Sequence, residues 1–176
     1  MSELEKLAAL IRERNFQEER IFEIIGRPAS IGHLGEYIAR EVFDIRLAES
    51  ANYKSIDGWF QSGSLQGRSV NVKWYAKHEG LLDMCLDAGP DYYLVLAGPS
   101  QPASRANRPR PWLIESVHLL EHELLRKVLT SKIGIATSIR REVWKRHQIF
   151  PLHNPEVLGL SEEQVQALSL FGSSRA

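Results

Sequence analysis

Ile56-Asp57-Gly58-Trp59-Phe60-Gln61 and Ser69-Val70-Asn71-Val72-Lys73-Trp74-Tyr75 flank a turn-rich segment, Ser62-Gly63-Ser64-Leu65-Gln66-Gly67-Arg68, and together read as a β-hairpin. The second arm alternates cleanly, with Asn71, Lys73 and Tyr75 on one face and Val70, Val72 and Trp74 on the other. Serine and glycine between the arms supply the turn. Closing the hairpin about Leu65 in the simplest antiparallel register sets Asp57 opposite Lys73 and Trp59 opposite Asn71. Directly opposed side chains share a face, with Cβ atoms about 4.5–5.5 Å apart.

Before the hairpin the pattern is helical. Ser2 and Glu5 form a capping-box pair for a helix reaching to about Ile25, in which the charged interval Arg12–Arg20 suggests a solvated face or a break. Gly26-Arg27-Pro28 ends that element, and Ser30 caps a second helix over residues 31–43. At about 100° per residue, Ile31, Leu34, Gly35, Ile38, Ala39, Val42 and Phe43 fill one arc, and Glu36 borders it about 20° from Phe43. Ile45-Arg46-Leu47-Ala48 is a short strand.

After the hairpin, Tyr92-Tyr93-Leu94-Val95-Leu96-Ala97 is a continuous apolar run, suited to a strand covered on both faces. Residues 98–111 read as a long loop, Trp112–Val117 as a strand, Glu121–Leu129 as a helix and Ile133–Ala136 as a possible short strand. Arg140–Arg146 reads as a basic helix, and Ser161 with Gln164 caps a last one. Helices, then a strand meander, then mixed elements predict one α/β (α+β) domain over 1–176. Its core spans about 30–118, and a basic helical part follows over about 119–171.

Composition is that of a globular protein: 176 residues, 43% hydrophobic and 25% charged. Cys85 is the single cysteine, which excludes an internal disulfide and a cysteine-built zinc site. No apolar run reaches the roughly 18 residues of a membrane span, and no signal-peptide pattern opens the chain, so a cytoplasmic protein with no membrane partner is expected. The 22 basic and 22 acidic residues balance, but residues 99–147 carry ten of the former and four of the latter. That excess permits a polyanion-facing surface; a solvated basic face is the plainer alternative.

Asp57, Asn71 and Lys73 therefore gather on one hairpin face, and Glu36 joins them if the second helix packs beside that end. Carboxylates and an amide oxygen are hard ligands suited to Mg²⁺. A lysine beside the metal orients water and stabilises charge on phosphate oxygens. The same residues also allow a simple Asp57–Lys73 cross-strand ion pair, worth about 0.2–1 kcal/mol.

Gly32-His33-Leu34-Gly35-Glu36 on a helix, then Ile56-Asp57-Gly58, then Asn71-Val72-Lys73, resembles the PD-(D/E)xK (restriction-endonuclease-like) nuclease superfamily. The resemblance covers roughly residues 30–118. It implies a core of helix, three strands, helix and strand: a mixed β-sheet flanked by helices. It implies catalytic residues Glu36, Asp57, Asn71 and Lys73, with the first three holding Mg²⁺ (or Mn²⁺ in its place) and Lys73 positioning water. The implied activity is hydrolysis of DNA phosphodiester bonds. Asn71 departs from the acidic residue usual there, so a catalytically inactive nucleic-acid- or protein-binding module is the alternative.

Arg105, Arg108 and Arg110 on the loop, with Arg140, Arg141, Lys145 and Arg146 on the late helix, are the candidate phosphate contacts. Trp144 suits core packing better than base stacking. A homodimer or a recognition partner chain is compatible with this reading. His118-Leu119-Leu120-Glu121-His122 spells H-x-x-E-H, and a zinc peptidase is a remote alternative requiring both imidazoles on one helical face.

Overall fold

The computed structural model describes residues 2–49, 55–85, 89–100, 109–129 and 133–173. The chain opens with helices α1 (Glu3–Ile25) and α2 (Ile31–Phe43), then strands β1 (Ile45–Leu47), β2 (Gly58–Phe60) and β3 (Ser69–Tyr75). Next come β4 (Leu81–Leu82), β5 (Tyr92–Ala97), β6 (Ser116–Glu121) and α3 (His122–Val128). It closes with β7 (Thr137–Ser138), α4 (Arg141–Arg146), β8 (Gln148–Phe150) and α5 (Glu162–Ser169). Six strands form one mixed sheet in the order β1-β2-β3-β5-β6-β8, and β4 pairs with β7 separately. All neighbours in the large sheet are antiparallel except β3 and β5.

The alternating side chains of the central strands separate two apolar layers. Val70, Val72, Trp74, Leu94 and Leu96 face α2 and α5, joining Ile38, Ala39, Phe43 and Leu168. Tyr93, Val95 and Leu120 face the other way, onto Leu82, Met84, Leu125, Ile139 and Trp144. β5 is buried on both faces, as its uninterrupted apolar run requires. Gly35 lets α2 lie close: a Cβ there would stand 3.1 Å from the Trp74 Cβ.

Helix boundaries follow the capping chemistry. Ser2 and Glu5 make the reciprocal capping box, and Ser30 Oγ accepts the His33 N–H. Helix α1 runs unbroken through Arg12–Arg20, and Gly26 ends it in the left-handed region at φ 69°.

Several expectations need correction. The hairpin register is offset: Gly58 pairs with Val70 and Trp59 with Ser69. Asp57 is therefore not opposite Lys73, nor Trp59 opposite Asn71. A 3-10 turn at Gly63–Leu65 takes up residues inside the loop and moves the symmetry point. The strand expected over Trp112–Val117 starts at Ser116, because 113 and 114 are tied elsewhere: Leu113 O accepts the Trp74 indole N–H and Ile114 N donates to Phe171 O. Gly134–Ala136 form a turn, and the short strand follows at Thr137. The helix that the family resemblance implies between the third and fourth core strands is not present there among the described residues, which hold β4 and otherwise no regular element.

Candidate active site

The hairpin is cut short by its own geometry. A Cβ at Gly58 would stand 2.4 Å from the Arg46 carbonyl oxygen, so only glycine lets β1 approach β2 here. One residue earlier the two hairpin arms separate. Asp57 N still donates to Val70 O at 2.9 Å, but the next N–H of β3, that of Val72, has lost its strand partner. The Asp57 carboxylate fills the vacancy, with Oδ2 accepting from Val72 N at 2.7 Å. The carboxylate thus lies near the plane of the sheet, in the gap between strands.

From one side comes α2. Glu36 is held by Arg27, whose Nη1 lies 2.5 Å from Glu36 Oε2. From the other side come Asn71 and Lys73. Asn71 is 4% exposed. Its Nδ2 donates to the Ser55 carbonyl at 3.1 Å, while Oδ1 is buried without a hydrogen-bond partner. Among the described residues no carboxylate lies within ion-pairing distance of Lys73, so the simple Asp57–Lys73 bridge is not formed.

The charges nonetheless act on one another. Burial pushes the Asp57 carboxyl above the usual carboxylate range, and the Val72 N–H pulls it back. The negative charge of Glu36 pushes it up further; Lys73 and Arg27 pull it down. Glu36, Asp57 and Lys73 are therefore brought into one electrostatic neighbourhood, and Asn71 lies two residues before Lys73 on β3. A buried orphan acceptor and mutually repelling carboxylates are each relieved by a small divalent cation. Two carboxylates plus an amide oxygen fit Mg²⁺, which takes one or two carboxylates and retains waters. No three His, Cys, Asp or Glu side chains form a metal-holding group among the described residues.

Arg27 and the Ser55 carbonyl were not anticipated from sequence. Arg27 reads as part of a helix stop, and its pairing with Glu36 spans the turn between two helices, which no periodicity reports.

The H-x-x-E-H reading is not met. His118 lies inside β6, with Nδ1 2.9 Å from Trp144 O and Nε2 3.0 Å from Ser116 Oγ. His122 is the first residue of α3. The two imidazoles are separated by strand, not by one helical turn. Burial pushes the His118 imidazole down to about 4, so it is neutral; its Nδ1–H donates to the carbonyl and its Nε2 accepts from the serine.

His78, His118 and Trp144 pack ring against ring at the wall of a cavity of about 620 Å³. Arg141 and Lys145 line it too. Trp144 is 3% exposed and belongs to the core. Arg110, Arg140 and Arg146 are exposed; Arg105 and Arg108 lie outside the described residues. No protein-family model matches this chain, and neither does any curated protein. Among the described residues no helix is long and apolar enough to cross a membrane.

Proposed function

We propose that this chain is a divalent-metal-dependent nuclease of the PD-(D/E)xK type, hydrolysing phosphodiester bonds of DNA. One observation carries the reading: a partly buried Asp57 carboxyl, raised by burial and by Glu36, bonded to Val72 of the same strand that carries the unpartnered Asn71 oxygen. Helix, three-strand meander and a further strand parallel to the third support a restriction-endonuclease-like core.

Glu36, Asp57 and Asn71 Oδ1 would hold Mg²⁺ or Mn²⁺, which supplies Lewis acidity toward water and the scissile phosphate. The chain's own groups do the rest. Val72 N–H fixes the Asp57 carboxylate, and Arg27 fixes Glu36. The Lys73 ammonium orients the attacking water and stabilises negative charge developing on the phosphate oxygens. Arg110, Arg140, Arg141, Lys145 and Arg146, with Arg105 and Arg108, contact backbone phosphates and set no sequence preference by themselves.

The neutral side chain at Asn71 and the occupation of Glu36 by Arg27 favour a second reading, a nucleic-acid-binding module without turnover. Incubation of supercoiled and linear DNA with Mg²⁺ or Mn²⁺ distinguishes them. The nuclease nicks DNA, and Asp57→Asn and Lys73→Ala each abolish nicking. Metal-independent retention of DNA without cleavage supports the binding module. Cleavage that survives both substitutions contradicts the site.

A further inference from the structure

Helix α1 is the least explained element of the molecule. It has 23 residues, about 34 Å in length, and none is buried. Leu4, Leu7, Leu10, Ile11, Phe16, Phe22 and Ile24 are all exposed, Leu7 at 53% and Ile11 at 50%. Helical stability in proteins comes mainly from packing an apolar face, and α1 buries none of its residues. The capping box, the Gly26 cap and a few surface ion pairs do not replace that packing.

The stripe along this helix has an internal symmetry. Leu7, Ile11, Arg14, Glu18, Ile21 and Ile25 follow one another at intervals of four, three, four, three and four residues. This is the seam spacing of a coiled coil. The order of intervals reads the same in both directions, and so does the chemistry: two apolar residues, a charged pair, two apolar residues. The charged pair is antisymmetric, Arg14 on one side and Glu18 on the other, joined within the helix at 2.8 Å.

We infer that α1 is a self-association surface whose occupant is α1 of a second copy, packed antiparallel about a twofold axis between residues 14 and 18. Leu7 then meets Ile25 of the second copy and Ile11 meets its Ile21. Arg14 faces Glu18 and Glu18 faces Arg14, so the four central charges alternate in sign. A parallel pair is disfavoured by the same residues, because each meets its own number and sets Arg14 on Arg14 and Glu18 on Glu18. A twofold interface requires a self-complementary patch, and this stripe is one. The chain leaves α1 at Gly26 for α2, so the antiparallel arrangement sets the two sheet bodies at opposite ends of the helix pair. Ile21 and Ile25, already half-covered, gain the remainder of their burial from the second copy.

Sedimentation equilibrium on the full chain tests this. The wild type sediments at twice the 20.0 kDa chain mass at micromolar concentrations. Arg14→Glu and Glu18→Arg each set like charges across the seam and weaken association by roughly tenfold or more. The double charge swap Arg14→Glu/Glu18→Arg restores it. The Arg14 side chain is exposed and that of Glu18 half-exposed, so the melting transition of the sheet body stays intact in all three variants and separates lost association from lost folding. A wild type that remains monomeric at about 100 μM, where any dimer would be held by less than about 5–6 kcal/mol, overturns the inference. A dimer indifferent to the single reversals, or a double swap that fails to recover it, overturns it equally.

Discussion

Asp57 Oδ2 accepts the Val72 backbone N–H at 2.7 Å, in the gap where β2 has left β3. A side chain thus completes a backbone ladder, and the same side chain is the centre of the candidate site. Structural and chemical demands on Asp57 are in conflict, and that conflict is measurable.

Asp57→Asn keeps an acceptor for Val72 N–H but removes a carboxylate whose ionisation burial opposes. A carboxyl raised in the folded state stabilises when protonated; that contribution is lost as pH rises through the folded value. The variant therefore melts a few degrees higher than wild type at pH 7. Its advantage shrinks as pH falls through the raised folded value toward about 4, the ordinary carboxylate range, and is gone below it. Thermal melts across pH, beside a cleavage assay, should report a protein that is more stable and inactive.

Asn71→Asp removes the donor to Ser55 O and puts a charge where Oδ1 is buried. Without metal this variant loses about 1–3 kcal/mol of stability. With Mn²⁺ its melting temperature rises by more than that of wild type, because the added charge strengthens a ligand bound only by the folded state. Equal Mn²⁺ shifts in the two proteins would remove Asn71 from the site.

Arg27→Gln frees Glu36 from its 2.5 Å partner and takes away a positive charge that acts on Asp57. Divalent affinity rises several-fold, and the Asp57 carboxyl moves further up. Carbon-13 NMR of labelled aspartate follows the second effect directly.

Gly58→Ala forces a methyl group against the Arg46 carbonyl and within 2.8 Å of Ile45 Cγ2. Overpacking of this kind costs about 1–3 kcal/mol. Because β1 must move, hydrogen exchange at Ile45–Leu47 accelerates while β5 stays protected.

His118 supplies an acid-side prediction of opposite sign. Its imidazole is neutral and pushed down to about 4, so stability is present above the unfolded value near 6.5 and falls as pH drops toward the folded one. The loss is on the order of 3 kcal/mol when fully expressed. A His118→Gln variant shows a flatter melting profile between pH 6.5 and 4.5 than wild type.

Local chemistry made much of this legible in advance. Caps at Ser2, Ser30 and Ser161 mark helix starts, the apolar run 92–97 marks the central strand, and the alternation of 69–75 assigns its faces. Asp57, Lys73 and Glu36 were nameable because a hairpin and a helix rim are local objects. The register was not, because a 3-10 turn inside the loop displaces the pairing by two residues without changing composition. Arg27 and the crossover between β3 and β5 depend on how separate elements meet in space. The strand 148–150 is three residues long and announces itself only by pairing with β6.

Titration of Mn²⁺ into the full chain, followed by electron paramagnetic resonance, reads directly whether Glu36 and Asp57 share a cation. Wild type should remove free Mn²⁺ signal stoichiometrically, and Asp57→Asn and Glu36→Gln should each forfeit that binding. Binding that is absent from wild type, or unchanged in both variants, contradicts the shared site.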